Sequence, residues 1–119
     1  MTNPLDYSLC CQTVTLYRKT KEGISRFVLP QCSYSYQPVL EKGVLGEEYQ
    51  VKFTLIVPGT VQILPGDRVM AGEGPQVTMA DWPSFIPVCV PSLAEVAYVK
   101  PCFWDGRQCH TEAGRGRKG

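Results

Sequence analysis

Histidine is almost missing from the chain: His110 stands alone among 119 residues. Charge is nearly balanced as well, with 12 Lys and Arg against 11 Asp and Glu and a formal net charge of +1. The single imidazole leaves a hydrolase built on nucleophile and base with one possible centre. The balanced charge argues against a strongly basic nucleic-acid platform. No stretch approaches the roughly 18 uninterrupted apolar residues of a membrane helix. The opening Met1-Thr2-Asn3-Pro4-Leu5-Asp6 lacks the basic start and apolar run of a secretion signal. The expectation is a soluble, cytosol-made protein with no membrane contact. Neither GxxxxGK[ST] nor GxGxxG occurs, and Gly72-Glu73-Gly74 is followed by Pro75 rather than by a helix start, so phosphate cradling is not supported. No internal repeat is visible.

What the chain does have is punctuation. Ten prolines and eleven glycines break almost every stretch after Pro30. An interior proline costs a helix about 3 kcal/mol, so long helices are nearly excluded there. The hydrophobic fraction of 44% suits an ordinary globular core, and the length suits one domain. The expected architecture is all-β and mainly antiparallel: a small β-barrel or sandwich with long loops and little helix, as one domain over residues 1–113 with a flexible basic tail at 114–119. Residues 1–106 carry eight Lys and Arg against ten Asp and Glu, whereas 107–119 carry four, Arg107, Arg115, Arg117 and Lys118, against Glu112.

Strand patterns carry that expectation. Residues 13–20 are rich in β-branched and aromatic types and run into the turn Lys21-Glu22-Gly23. Residues 24–29 read as the return strand, stopped by Pro30. Tyr34 and Tyr36, spaced by two, should share a sheet face. Residues 39–48 read as a loop. In 49–57, Tyr49, Val51, Phe53, Leu55 and Val57 fall on one face, which should be core. Leu64-Pro65-Gly66-Asp67 reads as a type II turn between short strands at 61–64 and 68–71, with another strand at 76–79. The proline-interrupted segment 81–91 reads as an apolar loop that either tucks under the core or meets a partner. A final β segment is expected over 95–103, with Trp104-Asp105-Gly106 as a turn. Ser92 and Glu95 have capping-box spacing worth one helical turn at most.

Six cysteines, Cys10, Cys11, Cys32, Cys89, Cys102 and Cys109, are an even number in a short chain, the arithmetic of a disulfide framework. Without a secretion signal they are better read as free thiols, with Cys89 buried in its apolar run. A zinc site needs paired, closely spaced ligands, and only Cys102, Cys109 and His110 cluster, so no metal or other cofactor is expected. Cys109 and His110, adjacent in a strand, project to opposite faces and make a poor dyad. Carboxylates at Glu47 and Glu48, or Asp67 and Glu73, sit at turns where solvated charge is expected. The inventory points to a protein without catalysis.

Taken in order, Thr13-Val14-Thr15-Leu16-Tyr17, Phe27-Val28-Leu29, Leu64-Pro65-Gly66-Asp67-Arg68-Val69 and His110-Thr111-Glu112-Ala113-Gly114 resemble a family of minor capsid or head-tail joining proteins of tailed phages and prophages of low-GC Gram-positive bacteria. The resemblance covers most of the chain in short motifs. The proline-rich 80–92 stretch and the cysteine count depart from the family's pattern. It implies a structural virion or prophage protein of the head-tail connector, made in the host bacterial cytoplasm. Such a protein assembles as a ring of identical subunits and contacts portal, adaptor or tail proteins. Candidate interface residues are Val39, Leu40, Val44 and Leu45 in one segment and Trp82, Phe85 and Ile86 in the other. The basic tail, Arg115, Arg117 and Lys118, is a candidate nucleic-acid contact. The alternative is a cellular β-barrel module binding protein or nucleic acid; a third possibility is a thiol or metal enzyme using Cys102, Cys109 and His110.

Overall fold

A computed structural model describes residues 10–43, 46–86 and 89–115, with side chains at 10–37, 52–86 and 89–115. Among them are seven strands: β1 (Gln12–Thr20), β2 (Gly23–Gly43), β3 (Gly46–Pro58), β4 (Arg68–Ala71), β5 (Ala94–Glu95), β6 (Tyr98–Trp104) and β7 (Arg107–Arg115). One 3-10 turn, Trp82–Ser84, is the only helix described. The fold class is therefore all-β with little helix.

The sheet runs β5-β4-β1-β2-β3-β7-β6, every neighbouring pair antiparallel. The long β2 belongs to both halves, pairing with β1 along its first part and with β3 along its second. At the other end the chain joins the edges itself. Residues 94–104 pair with β4 at Ala94 and Glu95 and, after a gap of two residues, with β7 from Tyr98 onward. Between them Val96 N–H donates to Asp67 O and Ala97 N–H to Gly114 O, each at 2.8 Å. The result is barrel-like.

Pro30 does not stop β2. The β1–β2 register slips by one residue at Gln12/Val14, so the missing proline donor falls at an irregularity that also bends the strand. Pro101 in β6 is tolerated because β6 lies at the end of the strand order, with a pairing partner on one side only among the described residues. The segment expected as a loop at 39–48 is β-structure on both sides: β2 and β3 pair from Ser33↔Ile56 out to Gly43↔Gly46. Conversely, 61–64 and 76–79 are not strands. The first crosses the barrel mouth as a strap, held by Thr111 Oγ1 donating to Val61 O at 3.1 Å and Arg18 Nη2 donating to Gln62 O at 3.1 Å.

Two cores result. Inside the barrel lie Val14, Leu16, Leu29, Cys32, Tyr34, Phe53, Leu55, Val57, Ile63, Val69, Val96 and Ala113. The alternating face expected in β3 accounts for three of them. Tyr34 and Tyr36 do share a face, with ring centroids 6.0 Å apart. The second core covers the outside of β1, where Tyr17 packs with Val77, Trp82, Phe85 and Leu93 from the segment after β4. Both faces of β1 are thus dry: Val14 and Leu16 inward, Thr15 and Tyr17 outward, all buried. At about 1.5–3 kcal/mol per fully buried large apolar side chain, the second core is a substantial part of the fold.

Polar contacts fasten this outer layer to the sheet. Thr15 Oγ1 donates to Gly72 O and accepts from Gly74 N–H, at 2.6 and 2.8 Å. Tyr17 Oη donates to Pro75 O at 2.8 Å, and Arg26 donates twice to Gly74 O. Arg68 lies 3.9 Å over the Trp82 ring and donates to the Trp82 and Phe85 carbonyls at 2.6 and 2.7 Å. Its burial disfavours the charged form and lowers the guanidinium pKa, against the opposing pull of Glu95. These carbonyls belong to a segment without a ladder of its own, and the arginines satisfy them.

Candidate assembly interface

Trp82 and Phe85 are not available to a partner. They tuck under the outer face of β1, buried, with Phe85 edge-on to Tyr17 at 4.7 Å between centroids. Ile86 is half-buried beside them. The apolar content of this loop serves the second core, because β1 offers it a hydrophobic outer face. Val39 and Leu40 lie in β2, opposite Gln50 and Tyr49. Val44 and Leu45 lie outside the described residues, as do Arg117 and Lys118. Gly114 and Arg115, expected in the flexible tail, belong to β7 instead, and Gly114 is buried. Arg115 is engaged: its Nε donates to Glu95 O and its Nη2 to Glu95 Oε1, both at 3.1 Å.

His110 is buried in β7, with Pro58 and Cys102 as its cross-strand neighbours. Opposite residues of an antiparallel pair share a face, so Cys102 and His110 are juxtaposed and Cys109 projects away from them. No group of three or more His, Cys, Asp and Glu residues suited to a metal ion occurs among the described residues. No disulfide joins any of the six cysteines. Cys32 is fully buried; desolvation, reinforced by the nearby Cys10 thiol, pushes its pKa up to about 11. Cys89, expected inside, is exposed. Asp67 is no solvated turn carboxylate: it is buried and accepts from Arg18 and from Leu64 N–H at 2.9 Å. The turn around it is as expected, with Gly66 at φ +94° and Asp67 N–H closing on Leu64 O.

Three surface features do stand free for contact. The first is an arm. β1 pairs with β2 only as far as Cys32, and β7 reaches β3 only as far as Phe53, so the seven pairs from Gln37↔Lys52 to Gly43↔Gly46 have each other and no further strand among the described residues. At about 3.3 Å per residue the arm projects roughly 20 Å. The second is the tip of the β6–β7 hairpin. Asp105 and Gly106, both at positive φ, form the two-residue turn such hairpins favour, and beside them Phe103 and Trp104 are 62% and 45% exposed. The third is a recess of about 500 Å³ at the barrel mouth, lined by Leu16, Arg18, Phe27, Leu29, Val61 and Gln62. Phe27 points inward with Leu16 but is 43% exposed, because the strap leaves that end of the barrel open.

The sequence marks the arm's segment, through Val39 and Leu40, as a candidate contact but reads it as a loop, and it gives neither the tip nor the recess. The aromatic pair beside Asp105-Gly106 was a legible signal, since turn tips favour polar residues; the recess had none, because it depends on where the strap crosses. Comparison of the chain with protein-family models, with curated proteins and with solved structures finds no match.

Proposed function

We propose that the chain is a structural subunit of the head-tail connector of a tailed phage or prophage, assembling with copies of itself and contacting portal or tail proteins in the virion neck. The motif order of the sequence is the starting point for this reading. The projecting β2–β3 arm is the structural observation that carries it. A two-stranded ribbon alone in water is marginal, and its strand edges are templates for pairing with another chain. An arm of this length on a small barrel is well suited to reach a neighbour's sheet. In a ring each subunit presents one surface to the next and a different one to the last, and the arm and the barrel body are two such surfaces.

The test is co-expression with the portal and tail proteins encoded beside it, for the full chain and for a variant in which residues 38–51 are replaced by Asn-Gly. The full chain should co-purify with a neck component as an oligomer. The shortened variant should keep its melting transition and lose the complex. Retention of every complex by the shortened variant removes the arm's role; absence of any complex with the full chain removes the connector reading.

A further inference from the structure

We infer that the open edge of β2 over residues 24–28 takes up an extended segment of a partner protein as an added strand, with one apolar side chain of that segment seated in the barrel-mouth recess. This goes beyond the connector reading and does not depend on it.

The register of the barrel defines the edge. Gly72 N–H donates to Thr13 O on the β4 side of β1. Backbone groups alternate sides along a strand, so Thr13, Thr15 and Tyr17 serve β4, whereas Val14, Leu16 and Arg18 serve β2. Their cross-strand partners Leu29, Phe27 and Ser25 are thereby used, and Ile24, Arg26 and Val28 turn their N–H and C=O groups away from β1. β3 does not receive them. It pairs with β2 only from Ser33 onward, and after Pro58 the chain leaves at Gly59, whose N–H donates to Cys109 O, to become the strap. This part of β2 therefore carries a ladder edge with no strand beside it among the described residues.

Proteins usually blunt such edges with proline, lysine or a cover. β6, the edge strand at the end of the sheet, carries Pro101 and Lys100. β2 has no proline before Pro30, and Arg26, the one charged side chain over 24–28, is turned across the sheet to Gly74 O. The recess opens along the same edge. The consecutive residues Phe27, Val28 and Leu29 line it, together with Leu16 of β1 and Val61 of the strap, around about 500 Å³ of space. Phe27 and Val28 are both exposed.

These features select the occupant. Unpaired N–H and C=O groups at alternate residues are met by another extended backbone, which a small apolar ligand does not have. A strand residue placed opposite Phe27 shares its face and points inward with Phe27 and Leu16, so that position takes a large apolar side chain. Its two sequence neighbours point outward. The strap sets the width: it lines the same recess as β2, so the slot between them admits a single strand. Every described strand of this chain is already paired, and a second copy would bring a further strand where the strap runs. A lone extended segment of another protein fits.

The probe is a synthetic peptide of about nine residues, Thr alternating with Leu and lysine at each end, added to the full chain. Amide hydrogen exchange followed by NMR is the measurement. In the protein alone, the amides of Ile24, Arg26 and Val28 should exchange fast, and those of Ser25, Phe27 and Leu29, bonded to β1, should be protected. The peptide should slow the first set about tenfold or more, and a peptide with every Leu replaced by Ser should not. N-methylation of the peptide at one set of alternate residues should abolish the effect and at the other set leave it, because a strand shows β2 only one edge. Val28→Pro removes an N–H from the open edge and none from the β1 ladder; it should keep the melting transition and weaken the peptide about tenfold. A peptide that leaves the three amides unchanged, or acts equally in both N-methylated forms, overturns strand addition. Protection of Ile24, Arg26 and Val28 in the protein alone means that the edge is already covered and removes the proposal. The same protection appearing only as protein concentration rises assigns the edge to a second copy and removes the partner protein.

Discussion

Arg18 and Asp67 meet side-on across the barrel mouth, with the guanidinium Nη2 donating to one carboxylate oxygen at 2.8 Å and Nε to the other at 3.0 Å. Asp67 is 3% exposed, and Arg18 is held above its ordinary pKa chiefly by this hydrogen bond. The pair fixes three things at once: the turn at 64–67 through Leu64 N–H, the strap through Gln62 O, and the end of β1. Arg18→Met strands a buried carboxylate and should cost about 3–5 kcal/mol in urea denaturation. Replacing both partners by apolar residues of similar volume should recover most of that loss. Equal losses for the single and double variants would mean that the charge pair itself is not what holds the mouth.

Gly114 is the tightest backbone approach in the barrel wall. A β-carbon there would lie 2.5 Å from Phe53 O and under 3 Å from the Tyr98 ring. The carbonyl belongs to the β3–β7 ladder and cannot yield cheaply. Gly114→Ala should destabilise by about 1–3 kcal/mol, the usual cost of overpacking, and Tyr98→Ala should not rescue it, because the backbone clash remains. A thermal melt of the two variants is enough to check this.

Cys32 gives the stability a pH dependence of known sign. Its folded pKa is raised from 9.0 to about 11, so the folded state holds the proton where the unfolded thiol would lose it. The contribution is complete below pH 9 and is lost as pH rises from 9 through about 11. Over that window, denaturation midpoints should fall, by an amount on the order of 2–3 kcal/mol if the whole shift is expressed. Cys32→Ala should flatten the decline. Tyr34, also raised by burial, adds a loss of the same sign higher in the alkaline range. Thiol reagents should modify the exposed Cys11 and Cys89 in the native protein and reach Cys32 only on unfolding.

Local chemistry made much of the fold legible in the sequence. The alternation in β3, the tyrosine pair in β2, the Pro65-Gly66 turn and the Asp105-Gly106 turn each follow from side-chain period or backbone preference, and each is present. The failures share a cause: they depend on what lies across from a residue. Pro30 reads as a stop until a register slip opposite it absorbs the missing donor. Residues 39–48 look like a loop because glycines and charges are scored without the partner strand that extends them. Trp82 and Phe85 read equally as core or as contact residues, because nothing in their own segment reveals that β1 is apolar on both faces and takes them into the core. Arg115 looked like a tail charge until Glu95 appeared beside it in space. The free surfaces, arm, tip and recess, come from the ends of ladders, and no local pattern encodes where a ladder ends.

Light scattering on the full chain over a broad concentration range, at near-physiological salt, bears most directly on whether this barrel exists to assemble. The expected result is a mass that rises with concentration from 13.2 kDa to a discrete multiple of it. A mass fixed at 13.2 kDa at every concentration, with no larger complex when neck components are added, would contradict it.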